Sequence, residues 1–167
     1  MKRQAFYTTL VLTATALASC HKETSIENGT GLAADMVATI DGQSWQAADS
    51  TQSAIFSHGL ATISGISADG REISITLDDT VAGLYTLNQA SSSLAIYASL
   101  DSAGSYAFST NQGADTSQAG GTVNVLSVDP VRRIISGIFS FKVYRNADSS
   151  QRQIGSGVFY DIPYTDQ

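Results

Sequence analysis

From Met36 onward, apolar and polar residues alternate with a period of two. In "REISITLDD", Ile73, Ile75 and Leu77 fall on one face, with Glu72, Ser74 and Thr76 on the other. In "SGIFSFKVYR", Phe139, Phe141 and Val143 share a face opposite Ser140 and Lys142. "LAIYASL" sets Leu94, Ile96 and Ala98 against Ala95, Tyr97 and Ser99. Successive strand side chains point to opposite sides of a sheet, so this alternation marks half-buried strands. No window beyond residue 36 carries a capped helical stripe.

The alternation predicts about ten strands, from eleven candidate segments of which the shortest are the weakest, near 36–40, 44–47, 53–57, 60–66, 71–77, 84–88, 94–100, 105–109, 122–128, 132–145 and 152–162. Asp41-Gly42 and Asp69-Gly70 are hairpin dipeptides, because Asp and Gly tolerate positive φ. "NQASSS", "DSAGS" and "TNQGADTSQAGG" read as polar loops, the last (residues 110–121) being the longest. Many short strands joined by polar turns predict an all-β fold. The expected architecture is an antiparallel β-sandwich, with a closed or partly open β-barrel as the alternative. "SGIFSF" (136–141) and "SGVFYD" (156–161) echo each other. Glycine is unfavourable in mid-strand unless a neighbour must come close. Gly137 and Gly157 are therefore expected in two paired strands of one hairpin, each making room for a side chain.

The first residues follow a different rule. Lys2 and Arg3 precede an apolar run from Ala5 to Ala18. As a helix that run would span roughly 21 Å, short of the ~30 Å hydrocarbon core. It reads as the h-region of a signal peptide. Leu17-Ala18-Ser19-Cys20 resembles the lipobox of bacterial lipoproteins, in which cleavage falls before the cysteine and its thiol takes up diacylglycerol. The rival is an ordinary A-x-A cut at Ala16-Leu17-Ala18, leaving a chain that starts at Ser19. The charged start, apolar core and cysteine in order favour the lipobox. The expected organisation is a lipoprotein signal peptide over 1–19, lipidated Cys20 with a flexible tether over 20–35, and one all-β domain over 36–167. Several acyl chains on Cys20 would anchor the protein durably in a membrane. The expected location is the cell envelope, at the outer membrane, with periplasmic and surface-facing orientations both open.

Composition narrows the partners. The chain has 167 residues, enough for one domain. Charged residues are only 14%, against the usual quarter, so the surface is polar but weakly charged. The formal charge is −6, and loss of Lys2 and Arg3 with a leader makes it −8. Nucleic acid is excluded as a partner, because it needs basic patches. Arg132, Arg133, Lys142, Arg145 and Arg152 crowd the C-terminal part, whereas residues 72–131 carry no base. The commoner role for such charges is on exposed strand faces, where they keep edges from pairing with other chains.

Chemistry is sparse. His21 and His58 are the two histidines; the first falls in the tether and the second in a turn. Cys20 is the single cysteine, so acylation would remove the thiol as a nucleophile. No nucleophile elbow, zinc, phosphate-loop or EF-hand motif occurs, so no catalytic residue, metal or cofactor is implied. Asp78 and Asp79 are neighbours on a strand end and point to opposite faces, a poor catalytic pair that could at most help hold Ca²⁺. Trp45 is a candidate ligand contact, since a lone Trp on a β-protein can stack a sugar; the commoner role is a core filler with its N–H satisfied. Ser50, Thr80 and Ser102 each follow an Asp at predicted turns, in a pattern similar to the O-glycosylation motif of exported Bacteroidota proteins.

"ATIDGQSW", "GLYTL", "GGTVNVLSVD", "ISGIFSFKV" and "GSGVFYDIPY" occur in that order over residues 36–164. Together they resemble an uncharacterised family of Bacteroidota-type exported lipoproteins. That resemblance implies an anchored all-β body and supplies no activity. The resulting expectation is a non-enzymatic binding or interaction module, its target a glycan, a small ligand or an envelope protein. A structural or accessory subunit of an envelope complex is the alternative, and a carboxylate-dependent enzyme comes third.

Overall fold

The computed structural model describes residues 35–101, 104–113 and 117–167. The predicted leader, Cys20 and the predicted tether up to residue 34 lie outside the described residues, as does Ser102. The described chain forms eleven strands and one short 3-10 turn at Asp49–Thr51. The strands are β1 (Asp35–Ile40), β2 (Gln43–Gln46), β3 (Ser53–Ser57), β4 (Leu60–Ile66), β5 (Glu72–Leu77) and β6 (Gly83–Leu87). There follow β7 (Leu94–Asp101), β8 (Gly104–Ser109), β9 (Gly120–Asp129), β10 (Ile134–Arg145) and β11 (Ser150–Asp166). The all-β expectation holds.

One sheet contains all eleven, in the order β2-β1-β11-β3-β4-β5-β7-β8-β10-β9-β6, with a further pairing of β11 with β10. The pairings therefore return on themselves, from β11 through β3, β4, β5, β7, β8 and β10 back to β11. The weakest link is a single residue pair, Tyr144 with Ser109, between β10 and β8. The sheet is mixed rather than wholly antiparallel: Tyr164–Asp166 of β11 run parallel to Ala54–Phe56 of β3. The cause is length. β11 has 17 residues, and its last three run past the end of its pairing with β1. Phe56 and Tyr164 seal this contact with stacked rings, 4.0 Å between centroids.

The turns match their chemistry. Asp41 and Gly42 have φ of 50° and 79° between the paired residues Ile40 and Gln43. His58 and Gly59, at 53° and 80°, do the same between Ser57 and Leu60. Two positive φ values in a two-residue loop suit the twist of a hairpin. One face of the sheet forms the core, where Ile63, Ile73, Ile75, Leu77, Val143, Ile154 and Ile162 are fully buried.

The two echoed segments meet in the β10–β11 hairpin. Gly137 pairs with Phe159, and Phe139 pairs with Gly157. A Cβ on Gly157 would overlap the Phe139 ring, and one on Gly137 would overlap the Phe159 ring. Each glycine thus seats the phenylalanine of the opposite strand. Two bulges interrupt β11, at Ser156 (φ 50°) and Asp161 (φ 48°), where its register with β10 slips. A bulge inserts one unpaired residue and resets which face each side chain takes. The buried positions of β11 consequently fall at Ile154, Gly157, Phe159, Ile162 and Tyr164, a spacing of three, two, three and two. At the second bulge, the Asp161 amide donates to the Ser136 hydroxyl at 2.9 Å.

Candidate functional site

A largely apolar row crosses the outer face. Leu84 of β6 pairs with Asn124 of β9, which pairs with Ile138 of β10. Ile138 pairs with Val158 of β11, and Val158 with Val37 of β1. All five side chains lie in one line across five strands. Leu84 is 71% exposed, Ile138 45% and Val158 36%. A groove of about 530 Å³ runs along this row, walled by Leu84, Ile138 and Val158, with Thr122, Asn124 and Ser140 supplying polar edges. Its volume is in the range of ligand clefts, roughly 300–1,000 Å³. It is a concave, largely aliphatic surface with an amide at its centre. Its lining consists of aliphatic, aromatic, hydroxyl and amide side chains and glycine.

A family model described as "Domain of unknown function (DUF6252)" matches residues 33–163. The chain belongs to this family. No curated protein and no solved structure matches it. The DUF6252 match spans β1 to β10 and most of β11, and so takes in every wall of the groove.

The residues singled out in the sequence are scattered over the DUF6252 domain. Trp45 is a core residue, 2% exposed, and its indole N–H donates to the Arg71 carbonyl at 3.1 Å. It is the one inward-facing residue of β2, so its ring has no face to offer a sugar. This corrects its candidacy as a ligand contact. Ser50 is exposed on the 3-10 turn, and Thr80 is half-buried with its amide held by Asp79 at 2.6 Å. His58 occupies the exposed β3–β4 turn, its Nδ1 2.8 Å from the Ser57 hydroxyl. Asp78 accepts from the buried Ser93 hydroxyl at 2.7 Å, which ties the end of β5 to the start of β7. Among the described residues, no group of three or more His, Cys, Asp and Glu could hold a metal ion.

The four clustered arginines are each paired with a carboxylate. Arg132 is bridged to Asp161, Arg133 to Asp166, Arg145 to Asp148 and Arg152 to Asp41. Hydrogen bonds from Arg145 and Ser150 hold the Asp148 carboxyl well below the usual carboxylate range. Asp69 is lowered as well, first by the Ser67 hydroxyl and, against some desolvation, by Arg71. Not all of these bases lie on exposed faces, which is a second correction. Arg145 continues the inward series Phe139, Phe141, Val143, and Arg152 precedes the inward Ile154 by two.

The groove residues escaped the sequence reading, although a signal was present. "IF" at 138–139 and "VF" at 158–159 place two apolar residues side by side in a strand. Adjacent strand residues take opposite faces, so each doublet makes both faces of its strand apolar.

Proposed function

We propose that this protein is an exported lipoprotein of the Bacteroidota type, anchored in the outer membrane through Cys20, whose DUF6252 domain is a non-enzymatic interaction module. The partner is another protein of the cell envelope, engaged through the outer groove. The observation that carries this reading is the row Leu84, Asn124, Ile138, Val158 and Val37, with its large aliphatic residues open to solvent. An exposed contiguous apolar surface on a folded domain marks an interaction site more often than isolated exposed residues do. The same surface suits an accessory subunit of an envelope complex, which is a special case of this reading. Trp45 is buried and offers a glycan no stacking face.

Two experiments test the two halves. Lipid labelling of wild type and Cys20→Ala in cells tests the anchor. Wild type takes up label and sediments with membranes, and Cys20→Ala does neither; an unlabelled wild type with a membrane-bound variant overturns the anchor. Photo-crosslinking from position 138, with position 64 on the β4 surface as control, tests the groove. A discrete protein adduct from 138 alone supports it. Equal crosslinking from both positions, or none from 138, overturns it.

A further inference from the structure

Among the described residues, the most exposed large apolar side chains gather at one corner of the domain. They are Val131, 90% exposed, then Leu84, Leu126 at 58% and Val81 at 55%. Register brings them together. Thr122, Asn124 and Leu126 share the outward face of β9, alternating with the buried Val123 and Val125. Leu84 pairs with Asn124 and Gly83 with Val125, so the chain entering β6 brings Val81 in at the same end as Leu126. Val131 stands beyond them, in the β9–β10 turn that the pair Asp129–Ile134 closes.

This turn is built to hold its apolar residue out. The Asp129 carboxylate accepts hydrogen bonds from the amides of Val131 and Arg132, both at 2.9 Å. Such an Asx turn, with Pro130 fixing φ inside it, displays Val131 on an ordered tip. Arg132 and Arg133 at the same tip are paired with Asp161 and Asp166. The corner therefore meets its surroundings with apolar surface rather than with charge. Tyr160 extends it across the sheet. It is the next outward position after Val158 on β11, toward the same end, and it pairs with Asp35, the first residue of β1. An exposed tyrosine, with an apolar ring and a polar tip, suits the boundary between lipid and water.

Asp35 is also where the chain from Cys20 enters the domain. The fifteen residues 20–34 span at most about 50 Å when fully extended. Three strand spacings, about 14 Å, separate β1 from β9. A lipid on Cys20 thus holds this end of the domain within reach of the bilayer. A contact too weak to form between free partners becomes effective when a short chain keeps the two together.

We propose that this corner, Val81, Leu126 and Val131 with Tyr160 beside them, rests on the lipid bilayer that holds the Cys20 anchor, its aliphatic tips inserted among the lipids. An exposed apolar patch marks either a protein or a membrane contact, and the entry of the chain from Cys20 at the same end decides for lipid. The proposal rests on the anchor at Cys20. It does not rest on the groove, whose walls include Leu84 but not Val81, Leu126 or Val131.

The test uses the full acylated chain in vesicles of phosphatidylethanolamine and phosphatidylcholine, with an environment-sensitive dye on one introduced cysteine. Acylation occupies the Cys20 thiol, so Val131→Cys or Ala147→Cys supplies the free one. Ala147 is exposed in the β10–β11 turn, at the other end of the same hairpin. The dye at position 131 should shift to the blue and be quenched by a spin-labelled lipid, and at position 147 it should do neither. Leu126→Glu added to Val131→Cys should remove most of the shift and leave the urea midpoint unchanged, because the position is exposed. An equal response at 131 and 147, or none at 131, overturns the proposal. So does a shift at 131 that grows with protein density and is not quenched by lipid, the result a contact between copies would give. Dye uptake by the chain without an introduced cysteine shows a free Cys20 and removes the anchor and the docked corner together. An anchored chain whose position 131 stays in water removes the docked corner alone.

Discussion

The β3–β4–β5 meander and the β10–β11 hairpin are built from the same strand alphabet and behave differently. β3, β4 and β5 pair without a single slip of register, and their buried residues alternate strictly. β10 and β11 slip twice, carry two residues with positive φ and seat two phenylalanines on two glycines. The regular region supplies core and little else. The irregular region supplies walls of the outer groove and, at one end of the core, Arg145 and Arg152 held against aromatic rings. The doublets Ile138-Phe139 and Val158-Phe159 make both sides of the hairpin apolar, and the bulges shift the phase of β11 on either side of its doublet.

The comparison can be broken most sharply at the rings. Phe159→Ala should cost about 3–5 kcal/mol, read as a fall in urea midpoint, because it empties a fully buried site. A loss no larger than that of an exposed residue would remove the Gly–Phe pairing as an organising contact. Next comes the reciprocal change. Gly157→Ala should destabilise by about 1–3 kcal/mol through overpacking against Phe139. Ser64→Ala in β4, which has an outward, partly exposed side chain, should stay within about 0.5 kcal/mol. Combining Gly157→Ala with Phe139→Leu should be less damaging than the sum of the two, since the smaller side chain makes room for the new methyl; strict additivity in a double-mutant cycle would sink that account.

A smaller effect is expected at the bulge itself. Ser156 holds φ of 50°, a region that costs a non-glycine residue roughly 1–2 kcal/mol. Ser156→Gly relieves that strain but frees the unfolded chain, so stability should move by under about 1 kcal/mol, in contrast to Gly157→Ala one residue away. The smallest effect is one of pH. The folded-state pKa of Asp148 is depressed, so its contribution to stability is present above the ordinary carboxylate value and lost as pH falls through the folded one. Asp148→Asn should therefore lessen the acid-induced fall in stability below about pH 4, and leave Asp69, in the β4–β5 turn, to account for part of what remains. An unchanged acid profile would show that Asp148 does not couple to folding.

Most of the strand pattern was legible because burial on one face imposes a period of two. "REISITLDD" gives β5 almost to the residue, and the Asp41-Gly42 dipeptide gives the first hairpin. Gly137 and Gly157 point to their hairpin because mid-strand glycine demands a reason, and the opposing rings supply it. The C-terminal strand was legible only in part. The bulges at Ser156 and Asp161 shift its phase, so a strict alternation ends too early, near residue 162, while the strand continues to Asp166. The parallel pairing with β3 has no local signature, since it depends on where two distant segments meet. Trp45 could be read as core or platform from its neighbours, and its burial decides between them. The inward turn of Arg145 follows from simple parity with Val143, but a charge in the core phase is easily taken for a strand end.

The joining of β1 to β11 and of β3 to the last three residues of β11 has a consequence for timing. Contacts separated by a hundred residues or so form late, because a long loop must be closed before they yield anything. The first strand waits on the last. Until the final segment arrives, β1 and its hairpin partner can satisfy only one side of their backbone, and the circuit stays an open ribbon with a bare edge. The closing move is a parallel clasp of three residue pairs, locked by one stacked pair of rings.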